Sequence, residues 1–402
     1  MKQNTAITDT MSIGRTRVDS IDILRALVMI IMALDHTRDF FHIHAWTQDP
    51  LDLATTTPAL FLTRWITHFC APIFTFLAGT SVWFQAKKKS KKELSSFLIK
   101  RGLWLVVVEI VVFNFAFSFD SSYTVIALQT IWSIGVSMII LGLLIWLPFQ
   151  AVLAIGLLIV LGHNSLDFYE ATKKDGFSLL YSIIHRPGFF PLNKEHSLFV
   201  LYPVLPWLGI MILGYCFGRL FTAYKGAERR KIISLLGIGL TLFFILLRAI
   251  NIYGDPKLWS QQDTVLYTLF SFIDTQKYPP SLLYAAMTIG PGMLFLSLIE
   301  KTKNAVTDII VVFGRVPFLY YVLHFFLIHF LCMIFFLMRG HKFSEGIHEG
   351  PNMFPYFIIP KEGYSLGVVY LIWISVIIVL YPVCKWFSEY KKTHRKWWLS
   401  YL

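Results

Sequence analysis

Apolar stretches of about twenty residues recur along the 402-residue chain, Val204–Leu220, Ile232–Ile252 and Gly367–Val383 among them. Each is long enough to cross a hydrocarbon layer about 30 Å thick. Within such a layer the backbone must satisfy its own N–H and C=O groups, and a helix is the form in which one segment can do so. The chain is 56% hydrophobic and only 15% charged, whereas about a quarter of a soluble protein is charged. These features predict an all-α polytopic membrane protein. Apolar periodicity places about ten transmembrane helices over residues 19–41, 59–85, 97–118, 123–146, 149–163, 199–221, 232–252, 281–299, 315–338 and 365–388. Residues 1–18 then form an N-terminal segment, 19–389 the membrane domain and 390–402 a basic tail.

The net charge of +12 does not point to nucleic acid, because it is not gathered on one segment. Of the 36 lysines and arginines, 22 fall in the termini and the short loops on one side of the expected bundle, and 11 in the longer loops opposite. The positive-inside rule puts the first side, with both termini, in the cytoplasm. The expected location is the inner, cytoplasmic membrane of a cell. No apolar core of a cleavable signal precedes Ile21. The four cysteines, Cys70, Cys216, Cys332 and Cys384, show no paired spacing, so neither a zinc site nor a disulfide framework is expected from them.

The first apolar stretch ends unlike the others. LRALVMIIMALDHTRDFFHIHAW, residues 24–46, passes from nine apolar residues to Asp35, His36, Arg38, Asp39, His42 and His44. Arg25 and His36 are 11 positions apart, which at about 100° per residue returns them to one helix face with a rise of about 16 Å. A charged arginine is costly against lipid, so this face is expected to look into the bundle or a watery cavity. Arg38 can reach Asp35 one turn back. A histidine beside carboxylates is a common proton acceptor near neutral pH. The same residues are also ordinary at a membrane–water boundary, and a metal site built on His36, Asp39, His42 and His44 would match no standard zinc spacing.

Further polar candidates lie far along the chain. Arg64 and His68 are one turn apart at the start of the second span, and Tyr320 and His324 share a face of the ninth. Lys277 and Tyr278 precede Pro279 and Pro280, which mark a helix start. Glu109 and Asn114 are expected to line the interior, with Glu109 pairing with Arg101 or Arg248. Gly209, Gly214 and Gly218 read as a helix-packing stripe.

With these residues in view, RVDSIDILRALVMIIMALDHTRDFF resembles the start of bacterial membrane proteins related to heparan-α-glucosaminide N-acetyltransferase. The resemblance continues through THFCAPIFTFLAG (67–79), LYPVLPWLGIMILGYCFG (201–218), KYPPSLLYAAMTIGP (277–291) and FGRVPFLYYVLHFFLIH (313–329). It implies an acetyltransferase that takes its acetyl group from acetyl-CoA and passes it to an amino or hydroxyl group of a sugar or glycan. The spacing from Arg25 to His36 also resembles a motif of membrane sugar O-acyltransferases, in which the histidine is thought catalytic. The heparan enzyme's proposed histidine is matched instead by His44 in IHAW. His36 is expected as base or acetyl carrier with His44 as its rival, and Asp35 or Asp39 as orienting groups. The heparan enzyme has an asparagine where Asp35 stands. Arg25 would bind the donor, and Arg38, Arg64, His68, Lys277, Tyr278, Tyr320 and His324 the substrates. No metal is expected. The expected partners are acyl-CoA, the acceptor and membrane lipids, with an oligomer left open. The rival reading is a proton-coupled or solute transporter using the polar face of the first helix, and a third is a non-catalytic scaffold.

Overall fold

A computed structural model describes residues 19–173, 176–348, 350, 355–394 and 396–400; the N-terminal segment 1–18 lies outside them. The chain is mostly helical. It opens with α1 (Asp19–Phe41), then α2 (Pro58–Ile66) and α3 (Cys70–Ala86), joined by a 3-10 turn at Thr67–Phe69. α4 (Lys91–Val108) and α5 (Asn114–Ser118) are joined by a π turn at Glu109–Phe113. Next come β1 (Val125–Leu128), α6 (Thr130–Leu144), α7 (Phe149–Gly162), α8 (Ser165–Thr172), α9 (Leu179–Ile184), β2 (Gly188–Pro191) and β3 (Ser197–Val200). The remainder is α10 (Val204–Phe217), α11 (Leu220–Ala223), α12 (Gly226–Ile250), α13 (Val265–Ile273), α14 (Leu282–Ile299), α15 (Ala305–Arg315), α16 (Pro317–Met338) and α17 (Leu366–Thr393).

Among the described residues six helical stretches are long and apolar enough to cross a membrane: Pro58–Ala86, Val204–Ala223, Gly226–Ile250, Leu282–Ile299, Pro317–Met338 and Leu366–Thr393. A seventh is reached if α7 and α8, bent by 41° at their junction, count as one. Helical segments do occupy the ten regions marked in the sequence, but several are short or charged. α1 alone carries Asp19, Asp22, Arg25, Asp35, Arg38 and Asp39. It is nonetheless central, packing against α3, α14, α15, α16 and α17.

Two expected boundaries move. Residues 125–128, expected inside a span, form β1, which pairs in parallel with β3 while β2 pairs antiparallel on the other edge of β3. The Asn114 side chain fixes this edge: its amide donates to Ala127 O (3.1 Å), and its carbonyl accepts from Ala127 N (2.6 Å). The ninth region is broken at Val316, where Pro317 begins a separate helix, as proline's missing N–H favours.

Close helix crossings explain the small residues. A Cβ on Gly214 would sit 2.0 Å from Phe76 O, so α10 and α3 can approach this closely only with glycine there. Gly314 on α15 is pressed in the same way on Asp22 O of α1, at 1.9 Å. Glu109 pairs with neither expected arginine. It accepts from Trp132 N (3.0 Å), so its carboxylate caps the first turn of α6, where backbone N–H groups lack helical partners. Arg248 is buried and donates to the carbonyls of Lys257, Ser271, Phe272 and Asp274, gathering the 253–280 loop onto α12.

Candidate functional site

The last two turns of α1 open onto a cavity of about 380 Å³. Phe41 O accepts from Tyr364 N (2.7 Å) and Ile43 N donates to Tyr364 O (3.0 Å), so the chain leaving α1 is stitched to the 364 segment. Trp46 turns back with φ 63° and donates from Nε1 to Asp39 O (2.8 Å), satisfying a carbonyl at the helix end. These bonds fix the stretch that carries His42 and His44 at the cavity rim. α2, the 3-10 turn and α3 supply one wall, α5 and β1 another. The Lys277–Tyr278 segment reaches in beside them, held by Ser281, whose Oγ caps α14 by accepting from Tyr284 N (2.9 Å).

Eight of the twelve sequence candidates line this cavity: Asp35, His36, Arg38, Asp39, His44, Arg64, Lys277 and Tyr278. Asp35 is clamped by two arginines. Arg38 Nη2 lies 2.9 Å from Asp35 Oδ1, and Arg64 Nη1 donates to Asp35 Oδ2. Arg38 also donates to Asp39 Oδ1 (2.5 Å). Neither carboxylate is hydrogen-bonded to His36, whose Nδ1 is buried without a hydrogen-bond partner among the described residues. The His36 ring packs instead on Phe325 (4.2 Å between centroids) and beside His324 (5.3 Å).

His324 and Tyr320 do not line the cavity but back it. Their rings stack at 5.3 Å, and His324 Nδ1 lies 3.0 Å from Tyr320 O. A carbonyl only accepts, so Nδ1 carries the proton and Nε2 is the basic nitrogen. That Nε2 is buried and has no hydrogen-bond partner among the described residues, as is true of His36 Nδ1. His68 is also outside the cavity. The 3-10 turn at Thr67–Phe69 breaks the α-helical row that would align it with Arg64, and its ring packs against Tyr284. Arg25 is held at the other end of α1, donating to Asp22 Oδ1 (2.8 Å), Ser81 Oγ (3.0 Å) and Gly314 O (3.3 Å). Val28, Met29 and Met32 carry the cavity down the same face, and Val28 and Met29 stop about one turn short of Arg25.

Two groups outside the spans show the electrostatics. Burial first, then the neighbouring His44 and Arg38, pushes His42 down to about 4. Its ring is therefore neutral at pH 7, and Nδ1 accepts the His44 backbone N–H (3.3 Å). Burial alone would raise the Tyr278 phenol, but the charges of Lys277 and Arg64, with hydrogen bonds to Lys277 and Tyr202, outweigh it and hold the phenol below its usual value. In a spectrophotometric titration one of the 18 tyrosines is expected to ionise ahead of the rest, below pH about 10. Tyr278→Phe should remove that step and Lys277→Ala should return it to the main transition. An unchanged curve in both variants would refute the assignment.

Residues not singled out from sequence also line the cavity, notably Tyr202 and Phe117. Tyr202 lies in the LYPVLPW block, and its ring meets Tyr278 edge-on at 5.3 Å.

No curated protein matches the chain. The profile of the family described as heparan-alpha-glucosaminide N-acetyltransferase, catalytic, matches residues 17–253, more than half of the chain. That match takes in His36, His44, Arg64 and Tyr202 and ends before Lys277. With its apolar helices and its polar cavity at the end of α1, the chain is a multi-pass membrane protein that belongs to the heparan-alpha-glucosaminide N-acetyltransferase catalytic family, a family of acetyltransferases.

Proposed function

We propose that this protein transfers an acetyl group from acetyl-CoA to an amino or hydroxyl group of a sugar or glycan, with His36 as the proton-accepting group. In this reading both termini are cytoplasmic, the chain passes the membrane about ten times, and the cavity opens on the opposite face. The observation that carries it is the His36 ring, lining a cavity of about 380 Å³ with a buried Nδ1 that has no hydrogen-bond partner among the described residues. That volume falls in the range of about 300–1,000 Å³ usual for small-molecule sites.

His36 takes the proton of the acceptor amine or hydroxyl, the acceptor attacks the thioester carbonyl, and the C–S bond breaks to release the CoA thiolate, which is then protonated. Transfer through an acetyl-histidine uses the same residue as nucleophile. His324 acts as a positioning residue: its ring stands beside that of His36, 5.3 Å away between centroids, and together with Phe325 it holds the imidazole in place. Asp35 and Asp39 carry two negative charges against the positive charges of Arg38, Arg64 and Lys277. The surplus positive charge favours the oxyanion that forms on the thioester carbonyl. His44, exposed at the rim, would contact the acceptor as it enters.

The test is transfer from radiolabelled acetyl-CoA to a panel of amino sugars and glycans by the purified protein in liposomes, with sugar uptake measured in parallel. Labelled acceptor is the expected product. Uptake of the sugar without any acetylation would overturn the proposal in favour of a transporter.

A further inference from the structure

Away from the cavity, the α7–α8 corner and the end of α9 bring together a second set of chemically capable side chains. Asp167 and Glu170 lie one turn apart on α8, and His185 follows α9. One ligand atom from each of the three lies within 4.8 Å of the others. Glu170 and His185 are buried, and Asp167 is partly open. Glu170 is fully engaged: Oε1 faces His185 Nδ1 (2.6 Å) and accepts from Tyr181 Oη (3.0 Å), while Oε2 accepts from Arg186 (2.9 Å). Asp167 accepts from Asn164 (2.7 Å), and among the described residues no lysine or arginine forms a salt bridge with it. The one arginine bridged to the cluster, Arg186, thus bonds Glu170 alone and is itself 46% exposed.

We infer that Asp167, Glu170 and His185 form a binding site for a divalent transition-metal ion. The donor set is one imidazole and two carboxylates, which suits Zn²⁺ and, more weakly, Mn²⁺. Bonds of about 2.0–2.2 Å to a tetrahedral ion place its ligand atoms roughly 3.4 Å apart. The His185–Glu170 pair opens slightly to reach this separation, and the partly exposed Asp167 side chain swings in. A metal-bound Nδ1 leaves the His185 proton on Nε2, and His163 Nδ1 stands 3.1 Å away to accept it. Metal-bound histidines characteristically donate their second nitrogen in this way, which fixes the ring. A bound ion would also supply the positive charge that Asp167 lacks. The corner is tied to the first turn of α14 by Leu282 N, which donates to Asn164 Oδ1 (2.8 Å). The ion would therefore fasten α8 and α9 to the helix that follows Lys277 and Tyr278. This inference does not depend on the acetyl-transfer reading.

The test uses tag-free, full-length protein in detergent after chelator stripping. Zn²⁺ and, separately, Mn²⁺ are titrated by equilibrium dialysis with elemental analysis, and thermal unfolding is followed with and without each ion. The expected result is one equivalent of Zn²⁺, bound more tightly than Mn²⁺, with a higher unfolding temperature. His185→Gln and Asp167→Asn should abolish both effects. Asp167→Asn is the milder change, because among the described residues the one side-chain hydrogen-bond partner of Asp167 is Asn164. His163→Ala should weaken affinity by about 10- to 100-fold. Absence of stoichiometric binding to wild type would overturn the inference, as would unchanged binding by Asp167→Asn, and would leave the cluster as a hydrogen-bonded fastening only.

Discussion

Replacing His36 by alanine is expected to lower kcat for acetyl transfer by about 100- to 10,000-fold, the usual contribution of a positioned general base. KM should change little, because His36 acts on the proton lost in the transition state and not on the bulk of either substrate. His36→Gln should be equally inactive while preserving the contact with Phe325, which separates lost chemistry from lost packing. His44 is exposed at the rim, and His44→Ala should mainly raise KM for the acceptor. His324→Ala should lower kcat less than His36→Ala and shift the pH profile, since it removes the ring packed beside His36 but leaves the base. Near-wild-type turnover by His36→Ala, with collapse in His44→Ala, would move the chemistry to the rim.

The part of this site that can be read along a helix was legible in the sequence, and the part assembled across the bundle was not. Asp35 and Arg38 meet because they are one turn apart on α1, and helical periodicity states that directly. The second arginine on Asp35 comes from Arg64, 29 positions away on α2. No spacing rule joins two helices through a loop. His324, behind His36, is 288 positions from it, and its shared face with Tyr320 suggested a pocket lining where the structure puts a backing. Arg25 was aligned with His36 by geometry that holds, yet its guanidinium is engaged by Asp22, Ser81 and Gly314.

The same limit shaped the fold. Val125–Leu128 is a short apolar run, and periodicity alone does not separate a strand from a buried helical turn. What decides it is the parallel ladder with residues 197–200 and the Asn114 side chain at its edge. The long apolar helices needed no such partner to be recognised. Arg101 and Arg248 are the expected partners of Glu109 because a buried carboxylate invites a countercharge. The first turn of α6 supplies backbone N–H groups in its place. The Asp167–Glu170–His185 cluster is not legible in the sequence because its histidine lies 15 positions beyond its nearer carboxylate, with a helix break between them.

Arg64→Ala is expected to destabilise the protein by about 3–5 kcal/mol, the usual effect of removing one partner from a buried ion pair. Asp35 and Arg64 expose only 10% and 13% of their side chains, so solvent screens the pair weakly. Arg38 remains beside Asp35, which places the effect near the lower end of that range. Asp35→Asn should also destabilise, because it leaves two arginines facing an amide. The double variant Arg64→Ala/Asp35→Asn should be more stable than the sum of the single changes by about 1–3 kcal/mol, the coupling expected of residues in direct contact. Arg64→Lys should not restore wild-type stability, since a single ammonium cannot reproduce a guanidinium that also reaches Thr67 Oγ1 (3.3 Å) and Tyr278. Thermal unfolding of the four variants in detergent checks this ordering. Strict additivity would mean that the two charges do not sense one another, and the clamp that sets the cavity wall beside His36 would have to lie elsewhere.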